Sequence, residues 1–311
     1  VNPVSAKRFD KVYIEIGNVC NLHCGFCPEI SREKALMDES LFTRVIAQVA
    51  PLTAQVCFHL MGEPLAHPKF ARYVEIGAEF GARLNITTNG SLLDLRSAAA
   101  LLNRAVAQVN FSVHSFRANF PRAEIGEYLS RVFAFTREAF VVRPDLYVNY
   151  RLWNLAGPEQ SSNEEILRAV ESEFGVTLAR DVDPRWKKGR HVAGRLFVHY
   201  DTRFDWPNSS APIRSETGTC RALSHQIGVL SDGTVVPCCL DKDGAVALGD
   251  LHRQSIEEIL AGERASRMRQ GFRQGRLVED LCRRCSFISR FDRSLRGTTE
   301  NVVKYTTTDL G

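Results

Sequence analysis

Between residues 12 and 173 the chain repeats one pattern, a short run of alternating polar and apolar residues followed by a longer run with helical spacing. Val12 to Ile16, Val56 to Leu60, Leu84 to Thr88, Val109 to Val113 and Leu146 to Leu152 predict strands; residues 39–50, 68–80, 95–107, 122–140 and 162–173 predict helices. Repeated strand–helix units build a parallel sheet. Such a sheet, covered by helices on both faces, has strands that are apolar throughout, and these are not. Tyr13 and Glu15, Cys57 and His59, Asn85, Thr87 and Asn89, Asn110, Ser112 and His114, and Asn149 and Arg151 all fall on one side of their strands. The residues between them are mostly Val, Ile, Leu and Phe. Because side chains alternate with period two, the apolar set meets the helices and the polar set lines the inside of a curved sheet. The expected fold is α/β, an open barrel with a polar lumen and ligands at the carboxyl ends of its strands. A half-solvated antiparallel sheet is the alternative, and the intervening helices argue against it.

Where the first strand ends, Cys20, Cys24 and Cys27 follow with the spacing C-x3-C-x2-C. Three thiolates can hold three irons of a 4Fe-4S cube and leave the fourth iron open to a small molecule. Half of a zinc site, with His23 or a distant residue as fourth ligand, or a redox-active thiol pair would also fit the spacing. The chain has nine cysteines, and no apolar run approaches membrane-spanning length. Val1 to Asp10 lacks the apolar core of a secretory signal. A cytoplasmic protein with no membrane partner is expected, so the cysteines read as metal ligands rather than disulfides. A net charge of +4 is too small to imply a nucleic-acid partner.

The segment Cys20-Asn21-Leu22-His23-Cys24-Gly25-Phe26-Cys27 resembles the radical S-adenosylmethionine (SAM) superfamily, including the aromatic Phe26 before the last cysteine. That resemblance implies a partial (β/α)6 barrel, a 4Fe-4S cluster on the three cysteines, SAM on its open iron, and an external reductase such as flavodoxin or ferredoxin. Met61-Gly62-Glu63-Pro64 is similar to the Gly-Gly-Glu-Pro segment of the superfamily, which holds the amino group of SAM; Met61 replaces the first glycine. By the same resemblance Ser112 and Arg151 are expected to contact the ribose and carboxylate of SAM, an arginine fork suiting a carboxylate. Each has a bland alternative as a buried polar group satisfied by its neighbours. Cys57 reads as a core thiol.

Past residue 180 the alternation is expected to end. The basic run Trp186-Lys187-Lys188-Gly189-Arg190-His191 reads as solvated surface or a contact to an anionic substrate. A boundary is expected in the loop-like stretch 205–219, giving a barrel over 1–205 and a smaller α+β domain over 206–311. In the latter, Cys220 precedes a hairpin, Ile227 to Leu230 and Thr234 to Val236, joined by Ser231-Asp232-Gly233. Cys238-Cys239, a helix from Ser255, and Cys282-Arg283-Arg284-Cys285 follow. Cys220, Cys238, Cys282 and Cys285 could saturate a second cube or a zinc ribbon. Together with the first motif they resemble the twitch and SPASM branch of the superfamily, which implies one auxiliary 4Fe-4S cluster. The spacing is similar to that of aminoglycoside-tailoring members.

Cys239 follows a candidate ligand along a strand, so its side chain should point the opposite way. Sulfatase-maturing relatives have an acid at the matching place. A thiol is a poor base but a good hydrogen-atom donor, and quenching a substrate radical from the face opposite its formation inverts the carbon. The expected function is therefore hydrogen abstraction from a small polar metabolite, aminoglycoside- or sugar-like, followed by epimerisation with Cys239 as catalytic donor. A dehydrogenase using the auxiliary cluster as electron acceptor is the first alternative. A ribosomal peptide maturase is the second, disfavoured by the short stretch before the first strand; a non-enzymatic iron-sulfur or zinc module is the third. An inert Cys239, buried or serving as a fifth ligand, remains open.

Overall fold

The computed structural model describes residues 8–157, 160–184 and 186–291; both ends of the expected domains, 1–7 and 292–311, lie outside them. Ten strands form one sheet: β1 (Phe9–Ile14), β2 (Thr53–Cys57), β3 (Leu84–Thr88), β4 (Val106–Phe111), β5 (Tyr147–Leu155), β6 (Gly189–Ala193), β7 (Leu196–Thr202), β8 (Gln226–Val229), β9 (Thr234–Val236) and β10 (Gly249–Asp250). Their order is β10-β9-β8-β1-β2-β3-β4-β5-β7-β6. Six strands, β1 to β5 and β7, run parallel side by side, as expected for a partial (β/α)6 barrel.

The helices are α1 (Glu39–Val49), α2 (Phe70–Glu79), α3 (Leu95–Leu101), α4 (His114–Asn119), α5 (Gly126–Val142), α6 (Asn163–Phe174), α7 (Ile256–Ala261), α8 (Glu263–Arg273) and α9 (Asp280–Arg283). Asp38 caps α1 by accepting from the Leu41 amide at 2.9 Å, and Leu41, Phe42, Val45, Ile46 and Val49 make its buried stripe. Ser255 and Glu258 form a capping box on α7. Val12, Ile14, Val56, Leu84, Ile86, Val109, Phe111, Val148, Tyr150 and Leu152, the apolar faces of five strands, are all essentially inaccessible and belong to one core cluster. Among the described residues no helix is long and apolar enough to cross a membrane.

Several expectations need correction. β1, β2 and β4 each begin about three residues earlier than expected and stop sooner. The in–out alternation continues to Leu60 and Val113, past the last ladder partners, Cys57 on β2 and Phe111 on β4, and pairing defines the strand. The helix expected over 95–107 stops at Leu101, because Asn103 turns the chain, its Oδ1 accepting from the Ala105 amide at 2.9 Å, and β4 starts at Val106. The stretch after 180 does not lose its strands: β6 and β7 form an antiparallel hairpin, with β7 parallel to β5. The basic run is built into its edge, where Lys188 pairs with Asp201 at 2.6 Å. The carboxyl-terminal hairpin has no sheet of its own, since β8 pairs in parallel with β1.

Candidate functional site

The inner face of the sheet is polar, and its side chains are wired across the strands. Asn110 is in register with Asn149 and with Thr87, and Asn85, two residues before Thr87 on β3 and in register with Gln108, lies diagonally across from Asn110. Asn149 Nδ2 donates to Asn110 at 2.9 Å, Asn110 to Asn85 at 2.8 Å, and Asn85 to Gln55 at 3.1 Å. This amide ladder satisfies buried polar groups in series and floors the lumen.

Above it stand Tyr13, Cys57, His59, Arg151 and His199. Tyr13 is in register with Cys57, and Arg151 with His199. The His59 ring meets Tyr13 edge-on, centroids 5.3 Å apart, and its Nδ1 is buried without a hydrogen-bond partner. Burial, then the charges of Arg151 and Lys11, hold its imidazole well below the usual range, so it is neutral. The Arg151 guanidinium lies 4.3 Å from the Trp153 ring centre and donates to no protein acceptor among the described residues. Burial lowers it to about 10. Its electrostatic neighbours are Tyr13, Cys57 and Asp201. Cys57 is fully buried, and burial raises its thiol to about 11.

Cys20, Cys24 and Cys27 converge on the loop beyond β1. A hydrogen bond with Cys24 is the largest influence raising the Cys27 thiol, followed by burial; burial raises Cys20. Polar groups hold the loop in shape. Asn119, the last residue of α4, donates to Cys24 Sγ at 3.0 Å and accepts from the His23 amide at 2.7 Å. Leu22 N–H points at Cys20 Sγ at 3.4 Å. N–H groups aimed at sulfur favour thiolates and suit a metal-bound cysteine. Sequence reasoning missed Asn119; only its place at a helix end marks it. Phe26 packs on His114, centroids 5.0 Å apart, with Arg203 over its ring at 5.3 Å.

Gly62 has φ +79°, and a Cβ there would stand 2.3 Å from the Gly17 carbonyl oxygen, so only glycine fits. Met61, like Tyr13 and Cys239, packs against the cluster of Leu60, Leu230 and Val236. Glu63 is buried, and its carboxylate accepts from Thr88 Oγ1 at 2.6 Å, the Asn89 amide at 2.7 Å and the Leu65 amide at 3.0 Å. These bonds tie the β2 loop to the end of β3. Burial still outweighs them and raises its pKa. Ser112, at the end of β4, donates its amide to Thr88 at 2.8 Å.

Cys220, Cys238, Cys282 and Cys285 form a second convergent set: burial is the main influence raising each thiol, and Cys238 and Cys282 both feel Cys220. Among the described residues no three His, Cys, Asp or Glu side chains close around a point as a single ion requires. Both sets are nonetheless pure thiol donor sets in mutual electrostatic reach, the soft ligands that iron-sulfur cores take. Cys239 turns away from this set. It packs with Tyr13 and Met61 against Leu60, Leu230 and Val236, the Tyr13 phenol is its hydrogen-bonding neighbour, and burial raises its thiol to about 12.

Residues 14–144 match the radical SAM superfamily, and residues 220–286 match the SPASM iron-sulfur cluster-binding domain. The tungsten-containing aldehyde ferredoxin oxidoreductase cofactor-modifying protein of Pyrococcus furiosus is 34% identical over 106 residues, 33% of this chain and 30% of that protein, so the match spans under a third of that relative. The S-adenosyl-L-methionine-dependent 2-deoxy-scyllo-inosamine dehydrogenase of Niallia circulans is 22% identical over 292 residues, 91% of this chain and 95% of that protein. The crystal structure of BtrN in complex with AdoMet and 2-DOIA superposes with a TM-score of 0.56 at 18% identity, covering 90% of this chain and 94% of that one, a likeness of fold. The alternating sheet, the two thiol sets and both family matches agree: residues 14–144 are a radical SAM domain and residues 220–286 a SPASM iron-sulfur cluster-binding domain, and their cofactors are SAM with its 4Fe-4S cluster and an auxiliary 4Fe-4S cluster.

Proposed function

We propose that this enzyme removes a hydrogen atom from a carbon of a small polar metabolite, aminoglycoside- or sugar-like, and that Cys239 returns a hydrogen atom from the opposite face. The reaction is then epimerisation. One observation carries the reading: adjacent cysteines face opposite ways, Cys238 toward Cys220 and Cys282, Cys239 toward Tyr13 and Met61 at the lumen wall.

In this reading residues 1–205 supply the barrel and 206–311 the auxiliary domain. Cys20, Cys24 and Cys27 hold the SAM-binding cluster; Cys220, Cys238, Cys282 and Cys285 hold the auxiliary one. Bound there, the first cluster and SAM supply the radical that abstracts hydrogen. Gly62 lets the β2 loop pass close to Gly17, and Glu63 fixes that loop so that its backbone oxygens meet the SAM amino group. Phe26 and Ser112 flank the nucleoside. Arg151, whose fork meets no protein acceptor among the described residues, grips the carboxylate of SAM, and the Nδ1 of neutral His59, unpartnered among the described residues, hydrogen-bonds a hydroxyl or anionic group of the substrate. The amide ladder beneath them adds donors and acceptors of both kinds, as a polyhydroxylated ring requires.

Cys239 keeps its hydrogen because burial against Leu60, Leu230 and Val236 outweighs the Tyr13 hydrogen bond and the charge of Lys11. When it donates, the S–H bond breaks and a C–H bond forms, leaving a sulfur-centred radical. One electron from a reductase of the flavodoxin or ferredoxin kind and one proton from solvent restore the thiol.

The likeness to a dehydrogenase along nearly the whole chain favours a second reading, oxidation of a secondary alcohol. His59 would then take the proton and the auxiliary cluster the electron. Turnover in deuterium oxide with a panel of aminocyclitols, sugars and short peptides separates them. Epimerisation places one solvent deuterium in an inverted product and is lost in Cys239→Ala. A carbonyl product formed equally well by Cys239→Ala would establish the dehydrogenase instead, and a modified peptide would make the enzyme a maturase.

A further inference from the structure

Where β1 and β8 begin, a basin of about 1460 Å3 opens beside Cys220 and Cys285. Five arginines stand in its wall, Arg8, Arg214, Arg221, Arg269 and Arg273, and among the described residues the wall contains no aspartate or glutamate. Arg214 is paired with Asp205 at 3.0 Å, and Arg221 lies over the Phe291 ring at 5.8 Å. Arg8, Arg269 and Arg273 have no carboxylate partner among the described residues. Arg269 Nη1 is buried with no hydrogen-bond partner among the described residues, and burial together with the fields of Arg8 and Arg273 holds its guanidinium below the usual arginine range. The whole chain carries only +4, so this wall concentrates positive charge, and among the described residues only Arg214 of the five is paired with a carboxylate. Guanidiniums forced together by the fold gain most from an anionic occupant, and a concave cationic surface draws one in from a distance.

We propose that this basin docks a small acidic one-electron carrier protein, seating it against Cys220 and Cys285. The inference rests on the reading of those cysteines as ligands of the auxiliary cluster and adds the entry point for the electron that reading needs. A reduced carrier held there is oxidised by one electron, and Cys239 regains its hydrogen from that electron and a solvent proton without any path through the substrate lumen. Charge complementarity selects the partner: an acidic protein surface is broad enough for five arginines across such a basin, and electrostatic docking allows the fast release that repeated electron delivery requires.

The test is binding of an acidic flavodoxin, in its resting oxidised form, to the reconstituted enzyme at low and physiological salt. R269E/R273E is expected to slow association and weaken Kd about tenfold or more at low salt. R269Q/R273Q should fall between, R269K/R273K should restore most of the affinity, and SAM affinity should stay constant as a check on folding. An unchanged Kd in both the charge-reversed and the neutral pair would overturn the proposal. So would a loss that lysine does not restore, since shape rather than charge would then be recognised. Because binding is read without turnover, such a failure leaves the ligand assignment standing; iron counting in Cys220→Ala and Cys285→Ala tests that separately.

Discussion

Arg32 Nη2 donates to both carboxylate oxygens of Glu15, at 2.8 and 2.9 Å, and Glu15 is wholly buried. Ser231, in the turn between β8 and β9, adds its hydroxyl to the same carboxylate at 2.9 Å, and Arg32 Nε reaches the Lys242 carbonyl at 2.8 Å. The neighbouring Ser31 amide donates to Asp243 at 2.7 Å. The segment just after the first cysteine trio is thereby bolted to the hairpin and turn that frame Cys238 and Cys239. Glu15 has the strand parity of a lumen residue but is consumed by this joint, so it offers no free carboxylate to a substrate.

Removing one half of that pair strands the other. Arg32→Met leaves a buried carboxylate with only Ser231 for company and is expected to cost about 3–5 kcal/mol. Arg32→Met with Glu15→Gln removes the charge and the partner together, and should cost less than the sum of the single changes. Urea unfolding of all four proteins measures the coupling; strict additivity would mean that the joint contributes nothing specific.

Asn119 touches the cysteine loop twice, at Cys24 Sγ and at the His23 amide. Asn119→Ala should leave the fold intact and weaken metal retention at the first trio by about 10–100-fold, the usual effect of losing a group that orients a ligand. Iron analysis after a chelator challenge reads this directly. The loss should be confined to the SAM-binding cluster, with the auxiliary cluster's spectroscopic signal intact.

Much of this site is visible in the order of residues, and the exceptions have physical causes. Alternation from Leu84 to Thr88 marks β3 to the residue because its apolar positions pack and each of its five residues has a ladder partner on β4. At β2 the alternation outruns the pairing, so His59 was expected within a strand and stands instead just beyond one, with the freedom to tilt against Tyr13. The β6–β7 hairpin was missed because its edge strand carries Arg190 and His191, where an edge tolerates charge. Cysteine spacing announces ligand sets, whereas the side chains that shape the loops around them, Asn119 and Arg32, lie far from any motif. Nothing local in sequence marks a contact made across ninety-five or seventeen residues.

Gly62 joins the motif to the fold. Its φ of +79° and the 2.3 Å approach of a hypothetical Cβ to the Gly17 carbonyl oxygen predict that Gly62→Ala cannot be accommodated without moving the β2 loop away from the end of β1. Backbone strain alone costs on the order of 1–3 kcal/mol. The displaced loop should also lose SAM, so isothermal titration should find binding weakened well beyond what the fall in stability explains. SAM binding at wild-type affinity would show that this loop is not the cofactor's seat.

His199 sets a pH dependence whose sign can be worked through. It accepts a hydrogen bond from Trp153 Nε1 at 3.0 Å through Nδ1, which requires that nitrogen to be unprotonated. Burial first, then the positive charges of Arg151 and Lys188, lower its pKa to about 4. In the unfolded chain the same ring titrates near 6.5. Between those two values the unfolded state binds a proton that the folded state refuses, so stability rises with pH across this window. The contribution is complete above about 6.5 and is lost as the pH falls toward 4. It amounts to something on the order of 3 kcal/mol over the full span. His199→Gln removes the titrating ring, and its unfolding free energy, measured in urea at several pH values from neutral down to the start of acid unfolding, should fall less steeply than that of the native protein. Parallel slopes for the two proteins would mean that the folded ring titrates normally, and that the Trp153 bond does not hold it neutral in the lumen beside Arg151.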